Sequence, residues 1–74
     1  MYKRDIHLSH ETVQDFVNAA SKCDFDVDLG YSRIIVNAKS LMGVFSLDLT
    51  KSLTVRYPQK DDRFESELNR FALA

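Results

Sequence analysis

Cys23-Asp24-Phe25-Asp26-Val27-Asp28-Leu29, followed by Gly30, alternates apolar and acidic residues without a break. A period of two places Cys23, Phe25, Val27 and Leu29 on one face of a strand and the three aspartates on the other. Gly30 then marks a turn, and the β-branched run Arg33 to Ala38 reads as the returning strand, so the two segments form an antiparallel hairpin. Asp24, Asp26 and Asp28 have the alternate spacing of a calcium loop, but the glycine and distal glutamate of that motif are missing. They are read as the solvated face of the strand.

Toward the N-terminus, Tyr2 to Leu8 repeats the alternation. Tyr2, Arg4, Ile6 and Leu8 lie on one side, with Arg4 as the discordant member, and Lys3, Asp5 and His7 on the other. Between the two alternating runs, Val13, Phe16, Val17 and Ala20 follow the i, i+3, i+4, i+7 spacing of a helical face. The helix is expected over Ser9 to Ser21, with Ser9 as N-cap and Glu11 in its first turn.

Toward the C-terminus, Ser40 opens a short helix from Leu41 to about Leu47. Ser52 to Tyr57 is a further strand, ended by Pro58. Asp61 or Asp62 caps a last helix carrying Phe64, Leu68 and Phe71. The order is β-α-β-β-α-β-α. One antiparallel sheet covered on one face by helices buries every apolar stripe in this order, an α+β arrangement. Phe16, Val17, Phe25, Val27, Val36, Val44, Leu53, Val55, Leu68 and Phe71 are expected to form the core.

The 74 residues provide for a single domain. Ten basic residues against 11 acidic ones leave a net charge of −1, without the basic excess that nucleic-acid binding calls for. The single cysteine, Cys23, has no disulfide partner and lies on an inward face, which suits an inert buried thiol. No charged-then-apolar leader opens the sequence and no apolar run is long enough to span a bilayer, so a cytoplasmic protein without membrane insertion is expected. There is no glycine-rich phosphate loop and no cysteine–histidine cluster, so neither cofactor nor metal is expected.

The stretch Val36-Asn37-Ala38-Lys39-Ser40-Leu41-Met42-Gly43-Val44-Phe45-Ser46-Leu47 resembles the regulatory-serine segment of the HPr family, the phosphocarrier proteins of the bacterial sugar phosphotransferase system. The element order on either side also agrees, so the resemblance covers the chain, residues 1–74, as one HPr-like domain. It implies an open-faced sandwich: a four-stranded antiparallel sheet backed on one face by three helices. The family's second signature, a phosphoryl-accepting histidine followed after one residue by Arg-Pro, is missing. With Asp15-Phe16-Val17 set against the family's Gln-Phe-Val, Ser9 falls opposite the histidine and Glu11 opposite the arginine. A glutamate where a cation belongs reverses the electrostatics that a phosphorylated imidazole needs.

The resemblance makes Ser40 a regulatory phosphorylation site as well as a helix cap. Phosphate there would add a charge of about −1.5 to −2 beside helix amides. Lys39, Leu41, Met42 and Phe45 correspond to the family's partner-docking surface. A helix this short cannot bury Leu41, Met42 and Phe45 together with Val44 and Leu47 on its other face, so one set should be exposed. The bland alternative packs the first set under Tyr31 or the Thr50–Lys51 loop. His10 is either a surface histidine without a role or a displaced phosphoryl acceptor using nearby amide donors.

The expected function is therefore a non-catalytic regulatory and binding module, resembling the catabolite-repression HPr proteins that lack the histidine and keep the serine. Its expected partners are proteins, a serine kinase and a transcriptional regulator of the HPr type. The alternatives are an active phosphocarrier using His10 and a degenerate scaffold for an unrelated partner. In none of these readings is the chain an enzyme; at most it carries a phosphoryl group.

Overall fold

Tyr31 and Ile34 close the hairpin between β2 (Asp28–Tyr31) and β3 (Ile34–Asn37) in a computed structural model that describes residues 1–72. The turn is Ser32-Arg33 rather than Gly30. Ser32 takes φ 53°, the positive value that the twist of a two-residue hairpin turn demands at its first position. Gly30 lies inside β2 for a different reason. A Cβ there would sit 2.0 Å from the Ile34 carbonyl oxygen, so only glycine admits the neighbouring strand.

The alternation over Cys23–Val27 marks burial but not a strand. Cys23 and Val27 are buried and Phe25 is half-buried, yet the ladder begins only where Asp28 meets Asn37. Before that point the segment has no partner, because the β3 side of the hairpin turns away after Ala38, whose N–H makes the last cross-hairpin bond, 2.8 Å to the Val27 carbonyl. The returning strand is correspondingly shorter than Arg33–Ala38.

β1 (Tyr2–Ile6) and β4 (Leu53–Tyr57) complete an antiparallel sheet of order β1-β4-β2-β3. The register aligns Val36, Leu29, Val55 and Arg4 in one cross-strand row, with Leu53 beside Ile6 and Tyr57 beside Tyr2. On the opposite face run Asn37, Asp28, Arg56 and Lys3, then Ile35, Gly30, Thr54 and Asp5. That second face carries no helix. Arg4, discordant in the sequence pattern, escapes burial along α3: its guanidinium donates to the Glu65 carbonyl at 3.3 Å, the Glu65 carboxylate at 3.4 Å and Asn69 Oδ1 at 2.9 Å.

Three helices cover the apolar face: α1 (Val13–Ser21), α2 (Leu41–Phe45) and α3 (Asp62–Leu68). Asp61 is the cap of α3, accepting from the Phe64 N–H at 3.0 Å. α3 ends at Leu68, so Phe71 is buried from the turn beyond it, where its carbonyl accepts the His7 N–H at 3.0 Å. Tyr57 and Phe64 pack edge to face at 5.2 Å, and the Tyr57 hydroxyl donates to the Glu65 carboxylate. Burial and that carboxylate push the Tyr57 phenol well above its ordinary pKa.

Eight of the ten expected core residues are buried, whereas Phe25 and Val36 are half-buried. Both lie at margins, Phe25 in the connector before β2 and Val36 on the edge strand, so each packs against the core from one side only. Among the described residues, no helix is long and apolar enough to cross a membrane and no three metal-ligating side chains converge.

Candidate functional site

The starts of α1 and α2 are built from different chemistry. Ser9 does not cap α1 with its side chain. Its carbonyl accepts from the N–H groups of Thr12 at 3.0 Å and Val13 at 3.1 Å, so the Ser9-His10-Glu11-Thr12 segment is a closed turn ahead of the helix. Thr12 locks that turn: its Oγ1 accepts the Ser9 N–H at 2.9 Å and lies 3.2 Å from the Ser9 carbonyl as a donor. The polar side chains are thus spent on one another, and α1 starts at Val13 without a side-chain cap.

Glu11 is fully exposed. Its carboxyl is held below the ordinary carboxylate range first by its own backbone N–H and then by the Ser9 hydroxyl, with the neighbouring His10 adding a smaller contribution. A negative charge therefore stands at the mouth of the turn. Beside it, His7, Leu8, Ser9, His10, Glu11, Leu49 and Thr50 line an open groove of 370 Å³.

α2 begins as the sequence predicts. Ser40 is extended, with φ −99° and ψ 111°, and its Oγ accepts the Gly43 N–H at 3.1 Å. A Cβ at Gly43 would lie 3.2 Å from that oxygen, so glycine leaves room for the cap. Val44 and Leu47 point into the core at 0% and 5% exposure, whereas Met42 is 83% and Phe45 43% exposed. Leu47 lies beyond the last residue of the helix, which closes at Ser46 through bonds to the Met42 and Gly43 carbonyls.

The expected patch is divided. Leu41 is half-buried and packs against the core, leaving Met42 and Phe45 as its open members. Tyr31 does not cover them. Its hydroxyl oxygen accepts the Asp48 N–H at 3.2 Å, and the Lys51 ammonium lies 6.0 Å from its ring. Lys39 is tethered too: its Nζ donates to the Cys23 carbonyl at 2.8 Å, tying the loop before α2 to the end of α1. Cys23 itself is buried, and that burial raises its thiol pKa away from the reactive range.

One contact joins the turn before α1 to the last residue of α2. The His10 imidazole stacks on the Phe45 ring, centroids 5.9 Å apart and planes 19° from parallel. Sequence periodicity contains no trace of this pair, because the residues belong to separate elements and neither sits on a buried stripe. The Lys39–Cys23 bond was equally hidden. His10 thus lies against the Phe45 end of α2, with Glu11 and the groove at its side, while Ser40 stands at the other end of that short helix.

The family model for the PTS HPr component phosphorylation site matches residues 4–66. Among solved structures, HPr-C-His from Thermoanaerobacter tengcongensis is similar with a TM-score of 0.76 and 23% identity, over 95% of this chain and 89% of that one. The phosphocarrier protein HPr from Bacillus anthracis str. Ames gives 0.73 and 21%, over 95% of each chain. At these identities the structures speak for the fold, four antiparallel strands with three helices on one face. The match of the family model, spanning most of the sequence, places this chain in the HPr family, whose members are phosphocarriers of the phosphotransferase system rather than enzymes proper.

Proposed function

We propose that this protein is an HPr-type regulatory and binding module that works through Ser40 and the exposed face of α2, not through a phosphohistidine. The observation that carries this reading is the division within α2. Val44 is enclosed in the core, while Met42 and Phe45, on the same five-residue helix and directly after Ser40, remain open to solvent. A large apolar surface kept exposed on so small a domain suits a protein partner. Ser40 is placed to change that surface. Its phosphorylation would exchange a neutral cap for a dianionic group bordering Met42, altering docking without dismantling the sheet. The partners proposed are a serine kinase and a transcriptional regulator of the HPr type, in the cytoplasm.

The α1 turn supports the same reading from the other side. Ser9 and Thr12 bond each other, and Glu11 offers negative charge where a phosphoryl group would need donors. The rival reading, a carrier using His10, draws on one feature, an exposed imidazole stacked on Phe45. Incubation with phosphoenolpyruvate and the general phosphotransferase enzyme separates the two. No phosphoryl transfer is expected. An acid-labile phosphate that disappears in His10→Ala would overturn the reading.

A further inference from the structure

β3 is an edge strand without the protections such edges normally carry. It contains no lysine, proline or inward charge, and its sequence is Ile34-Ile35-Val36-Asn37. Ile34 and Ile35 are 48% and 52% exposed, so both faces of the strand present apolar surface at its rim. The phase of the ladder fixes which backbone groups look outward. The bond from the Ala38 N–H to the Val27 carbonyl makes Val27–Ala38 a hydrogen-bonded pair. Alternation then makes Leu29–Val36 and Tyr31–Ile34 bonded pairs, and Gly30–Ile35 and Asp28–Asn37 the open ones. The N–H and C=O of Ile35, and the N–H of Asn37, are therefore aimed away from β2, in line along the free edge.

We infer that this edge binds the same edge of a second copy of the chain, two β3 strands pairing antiparallel about Ile35 to make one continuous eight-stranded sheet. This register sets Ile35 against Ile35 on the open face and Ile34 against Val36 on the helix face, so every exposed isoleucine meets an apolar partner. A shift by two residues would set Ile35 against Asn37. Charge also selects the antiparallel arrangement. The hairpin tip carries Arg33 and no acid, while at its base Asp28 stands beside Asn37 on the open face. Neither Arg33 nor Asp28 has an ion-pair partner among the described residues. Antiparallel pairing sets each Arg33 opposite the other copy's Asn37, one strand away from its Asp28 on the same face, twice by symmetry. A parallel pairing would bring the two arginines together. The strand is short, so the contact falls at the small end of interfaces and the association is weak.

Sedimentation equilibrium of the whole chain up to about 1 mM tests this, with amide exchange as a second readout. The wild type should pass from monomer to dimer, and the Ile35 and Asn37 amides should exchange more slowly as concentration rises. Ile35→Lys, at an exposed rim position, should keep the thermal melt and weaken association at least tenfold, whereas Met42→Ser should dimerise as the wild type does. A wild type that stays monomeric throughout overturns the inference. So does an Ile35→Lys that dimerises normally, or association lost in Met42→Ser. Should Ile35→Lys fail to fold, the wild-type amides decide: concentration-dependent protection at Ile35 and Asn37 supports the dimer, and its absence refutes it.

Discussion

The turn Ser9–Thr12 and the cap at Ser40 are two polar helix entrances on the same side of one small sheet, and they are wired in opposite ways. At α1 the polar side chains close on the turn itself, and the helix behind it begins uncapped. At α2 the serine reaches forward to the Gly43 amide and the apolar residues that follow divide between core and solvent. The first arrangement holds a loop in shape. The second stabilises a helix and leaves a surface next to a modifiable hydroxyl. That difference is the reason the proposed function is assigned to α2.

The largest effects should lie within α2 and its exit. Leu47→Ala removes a side chain that is 5% exposed and should cost about 2–5 kcal/mol, read by chemical denaturation. Phe45→Ala, at an open position, should cost well under the ~3–5 kcal/mol typical of a core phenylalanine. If the two variants unfold together, Phe45 is a core residue and the division of α2 fails.

The next effect compares the two serines. Ser40→Ala deletes a side-chain cap and should destabilise by about 1 kcal/mol, while Ser40→Asp should retain the helix because aspartate also caps. Ser9→Ala leaves the Ser9 N–H and carbonyl bonds to Thr12 in place, so it should fall within about 0.5 kcal/mol of wild type. Equal losses at both serines would erase the contrast between the entrances.

The sequence revealed the α2 entrance more fully than the α1 entrance, for a physical reason. Ser40, Gly43, Val44 and Leu47 act within eight consecutive residues, where spacing and capping chemistry are local. The α1 turn looked like the same device because Ser9 precedes a helical stripe, but Thr12 competes for its backbone groups. A hydroxyl three residues on is as good a partner as a helix amide. The strand over Cys23–Val27 was over-read for a related cause: alternation reports which side chains are buried, and burial against α1 and α3 needs no neighbouring strand. Arg4 looked misplaced until Glu65 on α3 and Asn69, the residue that ends it, supplied its acceptors. The stack of His10 on Phe45 has no local signal at all.

The smallest effect is one of pH. It falls on the α1 entrance, where the depressed carboxyl pKa of Glu11 marks a carboxylate favoured in the folded state. Its contribution is present above the ordinary carboxylate pKa and is lost as pH falls through the lower, folded value. Amide exchange between neutral and acid pH should therefore loosen the Ser9–Thr12 turn earlier than the Gly43 amide, and Glu11→Gln should abolish the difference.

The central claim, that α2 and not the α1 turn is the place of modification, is met most directly by one measurement. The wild type, Ser40→Ala and His10→Ala are each incubated with ATP and an HPr-type serine kinase, and intact mass and peptide mapping follow. One acid-stable phosphoryl group is expected on Ser40 in the wild type and in His10→Ala, and none in Ser40→Ala. A wild type that takes up no phosphate, or that takes it up equally in Ser40→Ala, would contradict it.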